Sequence, residues 1–167
     1  LKLKAKMIKN LLLVICLLFI FKASILCSQE AKKVGKVTGL EIPRFVSLKK
    51  SKTFLRRGPD KSYKIDWILE RNNYPLKVIA EHEHWRQVID FQGDEGWVYF
   101  RLLSGKRTII ISQDEISLRK TSKKNSNPIG ILKYGVIGEL IDKKGDFCNA
   151  KFQNLKGWIN KNEAWGC

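Results

Sequence analysis

From residue 52 onward, apolar and polar residues alternate over short runs that end at turn residues, the signature of half-buried strands. The first set of runs covers 52–56, 65–71, 76–83, 85–91 and 95–99. Between them stand Gly58-Pro59-Asp60, Asn72-Asn73, the 81–84 turn and Gln92-Gly93-Asp94, which carry turn chemistry. A second set covers 116–119, 129–133, 136–142, 147–153 and 157–160, with turns at 123–126, 143–146 and Asn154. No stretch in either set shows a helical period of useful length. The pattern predicts an all-β fold in which each set of five strands closes into a small, partly open barrel.

The two sets are copies of one module. Leu55-Arg56 answers to Leu118-Arg119, Trp85 to Phe147, and Gly96-Trp97-Val98 to Gly157-Trp158-Ile159. The three landmarks keep their order and nearly constant spacing, so the copies differ by single-residue changes in loops. A repeat of this length is a duplicated small domain rather than a solenoid unit. Each copy buries little apolar surface on its own. The Ile109-Ile110-Ile111 run between them is placed to add burial where the copies meet.

Residues 1–28 break this pattern. Lys2, Lys4, Lys6 and Lys9 precede an unbroken apolar run over 11–21, then Lys22 and a short stretch with small residues to Ser28. A basic segment, an apolar segment of this length and a short tail predict a secretory signal peptide, and the run is short for a membrane span, which needs about 20 residues. A start at Met7 keeps the pattern. With no Ala-x-Ala site, retention as an uncleaved inner-membrane anchor stays open, and Leu26 makes Cys27 a poor lipidation site. Residues 29–43, with Lys32, Lys33, Lys36, Gly35, Gly39 and a terminal Pro43, are predicted to be a flexible linker. Domains are expected at 44–105 and 106–167.

Charge enters here. The chain holds 32 Lys+Arg against 16 Asp+Glu, a net +16. Residues 1–28 hold five lysines and no acid, so the rest carries 27 basic and 16 acidic residues, net +11. In an exported chain the polyanions at hand are lipid headgroups, wall polymers and acidic proteins, and no nucleic acid partner is expected.

Leu55-Arg56-Arg57-Gly58-Pro59, Tyr63, Trp67, Trp85-Arg86-Gln87-Val88 and Gly96-Trp97-Val98 together resemble the bacterial SH3-like (SH3b) domain. The tandem arrangement, with the 44–49 segment and the 103–108 junction, is similar to small exported SH3-like proteins of alphaproteobacteria. The resemblance implies two tandem SH3-like barrels, the second degenerate: Thr121-Ser122 stands where Gly-Pro would be, and Phe147 replaces the tryptophan. It also implies that Trp85 matches the groove tryptophan of peptide-binding SH3 domains.

Candidate chemistry concentrates in the first copy. Tyr63, Trp67, Trp85, Trp97 and Tyr99 supply rigid rings suited to extended peptides or sugar faces, or to closing the barrel. Strand period puts Trp97 and Tyr99 on one face and Val98 on the other, with Val98 the core candidate. Arg56 and Arg57 beside Gly58-Pro59 are placed to rim a groove and pair with carboxylates, or to stand solvated. His82-Glu83-His84 lacks further ligands at supporting spacing, so neither a metal nor a cofactor is expected. Cys148 lies in a strand with nothing to activate it, so no catalytic residue is assigned and no enzyme is expected. In an oxidising compartment Cys148 and Cys167 can pair, or Cys167 can bridge to another chain. The ligand classes are cell-wall peptidoglycan first and an envelope protein second, met in the periplasm or after secretion, with nucleic-acid binding by the basic surface a third, less favoured reading and membrane contact only through an uncleaved signal peptide.

Overall fold

The computed structural model describes residues 33–167. The signal peptide expected at 1–28 lies outside the described residues, as does the start of the expected linker. Lys33–Cys167 form one compact unit containing two antiparallel seven-stranded sheets.

In the first sheet, β1 (Arg44–Leu48), β2 (Thr53–Arg56), β3 (Ile65–Leu69), β4 (Pro75–His82), β5 (Trp85–Ile89), β6 (Glu95–Tyr99) and β7 (Leu103–Ser104) lie in the order β3-β2-β6-β5-β4-β1-β7. The second contains β8 (Thr108–Ile111), β9 (Glu115–Arg119), β10 (Pro128–Lys133), β11 (Ile137–Lys144), β12 (Phe147–Phe152), β13 (Leu155–Asn160) and β14 (Ala164–Trp165). Its order, β10-β9-β13-β12-β11-β8-β14, repeats the first strand for strand. The likeness extends to register. Arg56 stands opposite Trp97, and Arg119 stands opposite Trp158. A bulge interrupts β4 between Val78 and Ala80, and β11 between Leu140 and Asp142. Even the 3-10 turn before the last strand recurs, at Phe100–Leu102 and Lys161–Glu163. All ten strands expected from alternation are present, within a few residues of their predicted ends.

Each sheet wraps its own core. Leu48, Leu55, Leu76, Val78, Val88 and Val98 fill the first, all essentially inaccessible to solvent. Ile109, Ile111, Leu118, Cys148, Ala150 and Ile159 fill the second. The β8 isoleucines serve both: Ile110, between Ile109 and Ile111, points into the first core. Around it, Phe45 meets Trp165 edge to face at 4.8 Å, Thr108 Oγ1 donates to the Asn73 carbonyl at 2.7 Å, and Arg71 Nη2 donates to the Gly135 carbonyl at 2.8 Å. Cys148 and Cys167 are joined by a disulfide, with Cα atoms 6.0 Å apart, tying the C-terminus to β12.

The flexible linker expected at 29–43 is corrected over 33–43. That segment forms a turn, with Val34 bridged to Glu41 and Ile42 buried in the first core. The turn is clamped by one side chain on β4. Glu81 Oε2 accepts from the amides of Val37 at 3.1 Å and Thr38 at 2.9 Å, and Oε1 accepts from Thr38 Oγ1 at 2.7 Å. Gly35 lies so close that a Cβ there would overlap the Glu81 carboxylate. Composition marks the segment as a linker, but a long-range carboxylate satisfies its backbone donors, and the fold extends back to it.

Candidate functional site

An aromatic face forms on the first barrel because strand register stacks rings on the side away from the core. Trp85 stands opposite both His82 on β4 and Tyr99 on β6, and Gln87 stands opposite Trp97. Directly opposed residues share a face, so His82, Trp85, Trp97 and Tyr99 project together, while Val88 and Val98 project inward. Arg56, opposite Trp97 on β2, belongs to the same side. Trp85 and Tyr99 meet edge to face at 5.6 Å, and His82 approaches Trp97 at 6.5 Å. His84 adds contacts to Tyr99 at 6.1 Å and to Phe100 at 5.7 Å, and Tyr99 touches Phe100 at 5.2 Å. Trp85 is 8% exposed and serves as the floor. Trp97 and Tyr99 are partly exposed, and His82, His84 and Phe100 are open to solvent.

Three of the five expected aromatics therefore converge, and two do not. Trp67 stands opposite Leu55, on the inward-facing side of β2 and β3, yet is 48% exposed because β3 is the outer strand of the sheet. It lines a separate cavity of about 320 Å³ with Tyr74, Phe91 and Tyr134. Tyr63 lies on the loop after β2 with its ring against Gly58, where a Cβ would come within 2.6 Å of the ring. The two arginines are committed to that loop as well. Arg56 Nη1 donates to the Tyr63 carbonyl at 2.8 Å. Arg57 grips Asp66 with Nε at 3.2 Å and Nη2 at 2.9 Å. The hydrogen bond and charge of Asp66 raise the Arg57 pKa, and Arg57 in turn lowers that of Asp66. Of the two arginines, Arg56 reaches the aromatic side, and it does so as part of the wall.

The residues that pattern reasoning misses are His82, His84 and Phe100. His-x-His at a turn reads as solvent-exposed, and both residues are exposed. Their rings nevertheless pack on Trp97, Tyr99 and Phe100. The available signal is the hairpin register, which puts His82 opposite Trp85 once the turn is fixed at Glu83-His84.

Behind the face, β5 turns Arg86 inward. Its Nη1 donates to the Glu83 and Trp85 carbonyls at 2.9 and 2.8 Å, and its Nε lies 3.4 Å from Glu81. Arg44 Nη2 lies 2.7 Å from the same carboxylate oxygen. Burial pushes the Glu81 carboxyl up, but bonds from Thr38, Arg44 and the Val37 amide outweigh it and hold the pKa at about 2. Burial lowers the Arg86 pKa against the pull of Glu81, with Arg44 adding repulsion.

Chemically, the face can stack on flat apolar surfaces and accept hydrogen-bonding groups at its imidazole edges. Among the described residues, no three His, Cys, Asp or Glu side chains gather to hold a metal ion. Cys148 is in the disulfide and has no thiolate to offer. Among the described residues, no helix is long and apolar enough to cross a membrane.

Comparison with known proteins finds the family in the first copy: the model described as "Bacterial SH3 domain" matches residues 49–105. No curated protein matches the chain. Three similar solved structures share little sequence. An NlpC/P60 family protein from Bacillus cereus ATCC 10987 is 11% identical, with a TM-score of 0.34, over 73% of this chain and 56% of its own. NlpC1 from Trichomonas vaginalis is 9% identical, TM-score 0.32, over 78% of this chain and 48% of its own. NlpC2 from the same organism is 12% identical, TM-score 0.33, over 74% and 48%. The chain thus spans about half the length of each. The barrel that carries the aromatic face thus matches, over residues 49–105, the bacterial SH3 domain.

Proposed function

We propose that this chain is a non-enzymatic, exported binding protein of the bacterial cell envelope, and that it recognises peptidoglycan or its stem peptides through the aromatic face of the first barrel. The observation that carries this reading is the convergence of Trp85, Trp97 and Tyr99 on the outer side of a bacterial SH3 domain. Rings on a rigid sheet bind extended peptides or sugar faces with little loss of conformational entropy. The net +11 beyond residue 28 favours a wall polyanion, and the leader pattern at 1–28 supports export to the periplasm or beyond.

Co-sedimentation of the full chain with purified peptidoglycan at physiological salt tests this. Binding is expected, with loss on Trp97→Ala. No co-sedimentation, or binding that vanishes at modest salt and ignores Trp97, sinks the reading in favour of charge alone.

A second reading, a module for an envelope protein, is favoured by β3. This edge strand leaves one side unpaired and exposes Trp67 and Ile68, features that suit addition of a partner's strand. Binding that depends on Trp67 rather than Trp97 would select it.

A further inference from the structure

A cavity of about 200 Å³ opens beside the aromatic face, lined by Thr38, Leu40, Arg44, Arg86, Phe100 and Gly105, among others. Its charges do not balance. Arg44 and Arg86 both bear on Glu81, whose two oxygens are already filled by two amides, the Thr38 hydroxyl and the Arg44 guanidinium. Two cations against one saturated carboxylate leave one positive charge in excess. Arg101, outside the cavity lining, places a further guanidinium over the Phe100 ring, at 5.9 Å. Arg44 Nη1 is buried and has no hydrogen-bond partner.

We infer that this cavity is a carboxylate site, and that it takes the terminal carboxylate of a short peptide ending in a small aliphatic residue. The excess charge favours an anion. The planar guanidinium groups of Arg44 and Arg86, both in the cavity wall, match a carboxylate in shape and charge. Leu40 and the Phe100 ring form apolar walls that suit a short aliphatic side chain. Phe100 also touches Tyr99 and His84, so its ring stands between the aromatic face and the cavity and belongs to both. Arg86 stacks over the same ring at 5.8 Å, which fixes the guanidinium at the cavity wall. The segment at 33–43 becomes part of the site, since Thr38 and Leu40 close one side and Thr38 holds Glu81 in place. The assignment to a wall stem peptide rests on the peptidoglycan reading above. The carboxylate chemistry itself does not.

The test is titration of the full chain, followed by NMR at the arginine side-chain Nε–H signals, with N-acetyl-D-alanyl-D-alanine, its C-terminal amide and the L,L isomer. The D,D acid is expected to shift the Arg44 and Arg86 signals, and the amide to bind about tenfold more weakly. Arg44→Lys keeps the charge facing Glu81 but loses the fork. It is expected to weaken the acid about fivefold or more while the thermal midpoint stays close to that of the parent. Equal binding of acid and amide, or no shift at either arginine, overturns the carboxylate site. A preference for the L,L acid overturns the wall-peptide assignment and leaves a protein C-terminus as the ligand. These results are separable from co-sedimentation. Wall binding without a carboxylate preference removes only this inference, and a carboxylate preference without wall binding removes only the peptidoglycan reading.

Discussion

Glu81 carries a charge that burial alone would extinguish. Five donors, from the 33–43 turn and two arginines, hold its carboxylate, and its pKa falls from the ordinary 4.5 to about 2. A carboxyl depressed by folding contributes stability that is present above its unfolded pKa and lost as pH falls through the folded one. The contribution should therefore be whole above about pH 4.5 and fade towards pH 2, with a full value of about 3 kcal/mol. Glu81→Gln should cost about that much at pH 7, because it strands Arg44 and Arg86 facing an uncharged amide. Urea unfolding at pH 7 and pH 3 checks this: the gap between parent and variant should narrow in acid, and a gap independent of pH would contradict the assignment. At the same scale, the aromatic face separates rings that sequence spacing groups together. Trp97→Ala should weaken peptidoglycan binding about tenfold with little change in stability, whereas Trp67→Ala should leave that binding unchanged. Sedimentation isotherms for both variants in parallel would show whether the register-defined face is the binding surface.

Among the elements, the two Gly-Trp strands show why a glycine recurs at the same place in both copies. A Cβ at Gly96 would come within 2.7 Å of the Leu55 Cβ, and one at Gly157 within 2.7 Å of the Arg119 carbonyl and 2.8 Å of Leu118 Cγ. In each barrel this is the point where the last long strand meets β2 or its counterpart β9, so the glycine sets how closely the sheet curls. Gly96→Ala and Gly157→Ala should each destabilise by about 2 kcal/mol, since their neighbours must move, and chemical denaturation should report similar losses for both. A repeated requirement of this kind is legible in sequence, as are the ten alternating strands and the inward Val98. What escapes has physical causes. β8 has no alternation because both its faces are covered, by the second core at Ile109 and Ile111 and by the first at Ile110. β7 and β14 are two residues long, too short to show a period. The 33–43 turn and the Arg57–Asp66 pair depend on partners distant in sequence or across a hairpin, which composition does not encode. Closeness in sequence over 63–99 groups five rings, but the place of β3 at the sheet edge sends Trp67 elsewhere. Tyr63 leaves the face for a different reason: its ring packs on Gly58 within its own loop.

For the molecule as a whole, the duplication has produced one packed body rather than two beads on a string. Ile110 belongs to the second sheet by hydrogen bonding and to the first core by packing. Ile110→Ala should therefore cost about 3 kcal/mol and speed amide exchange in β4 and β5 as well as in β11. Two independent modules would confine the effect to one of them. The disulfide extends the same argument to the far end of the chain. It joins β12 to the C-terminus just after β14, whose Trp165 packs on the first core and meets Phe45. Cys167→Ser frees that tail and should lower stability by about 3 kcal/mol through the larger unfolded ensemble. Because Trp165 stands between the bond and the first barrel, the loss should also appear there, as faster exchange in β1 and a lower midpoint by a probe in the first barrel. Hydrogen exchange on parent and variant decides the matter. If β1 keeps its protection while β12 and β14 lose theirs, the barrels unfold separately and the aromatic face is insulated from the redox state of its neighbour. If both fall together, oxidation in the second copy stabilises the binding surface of the first, which gives the degenerate copy a structural role that needs no groove of its own.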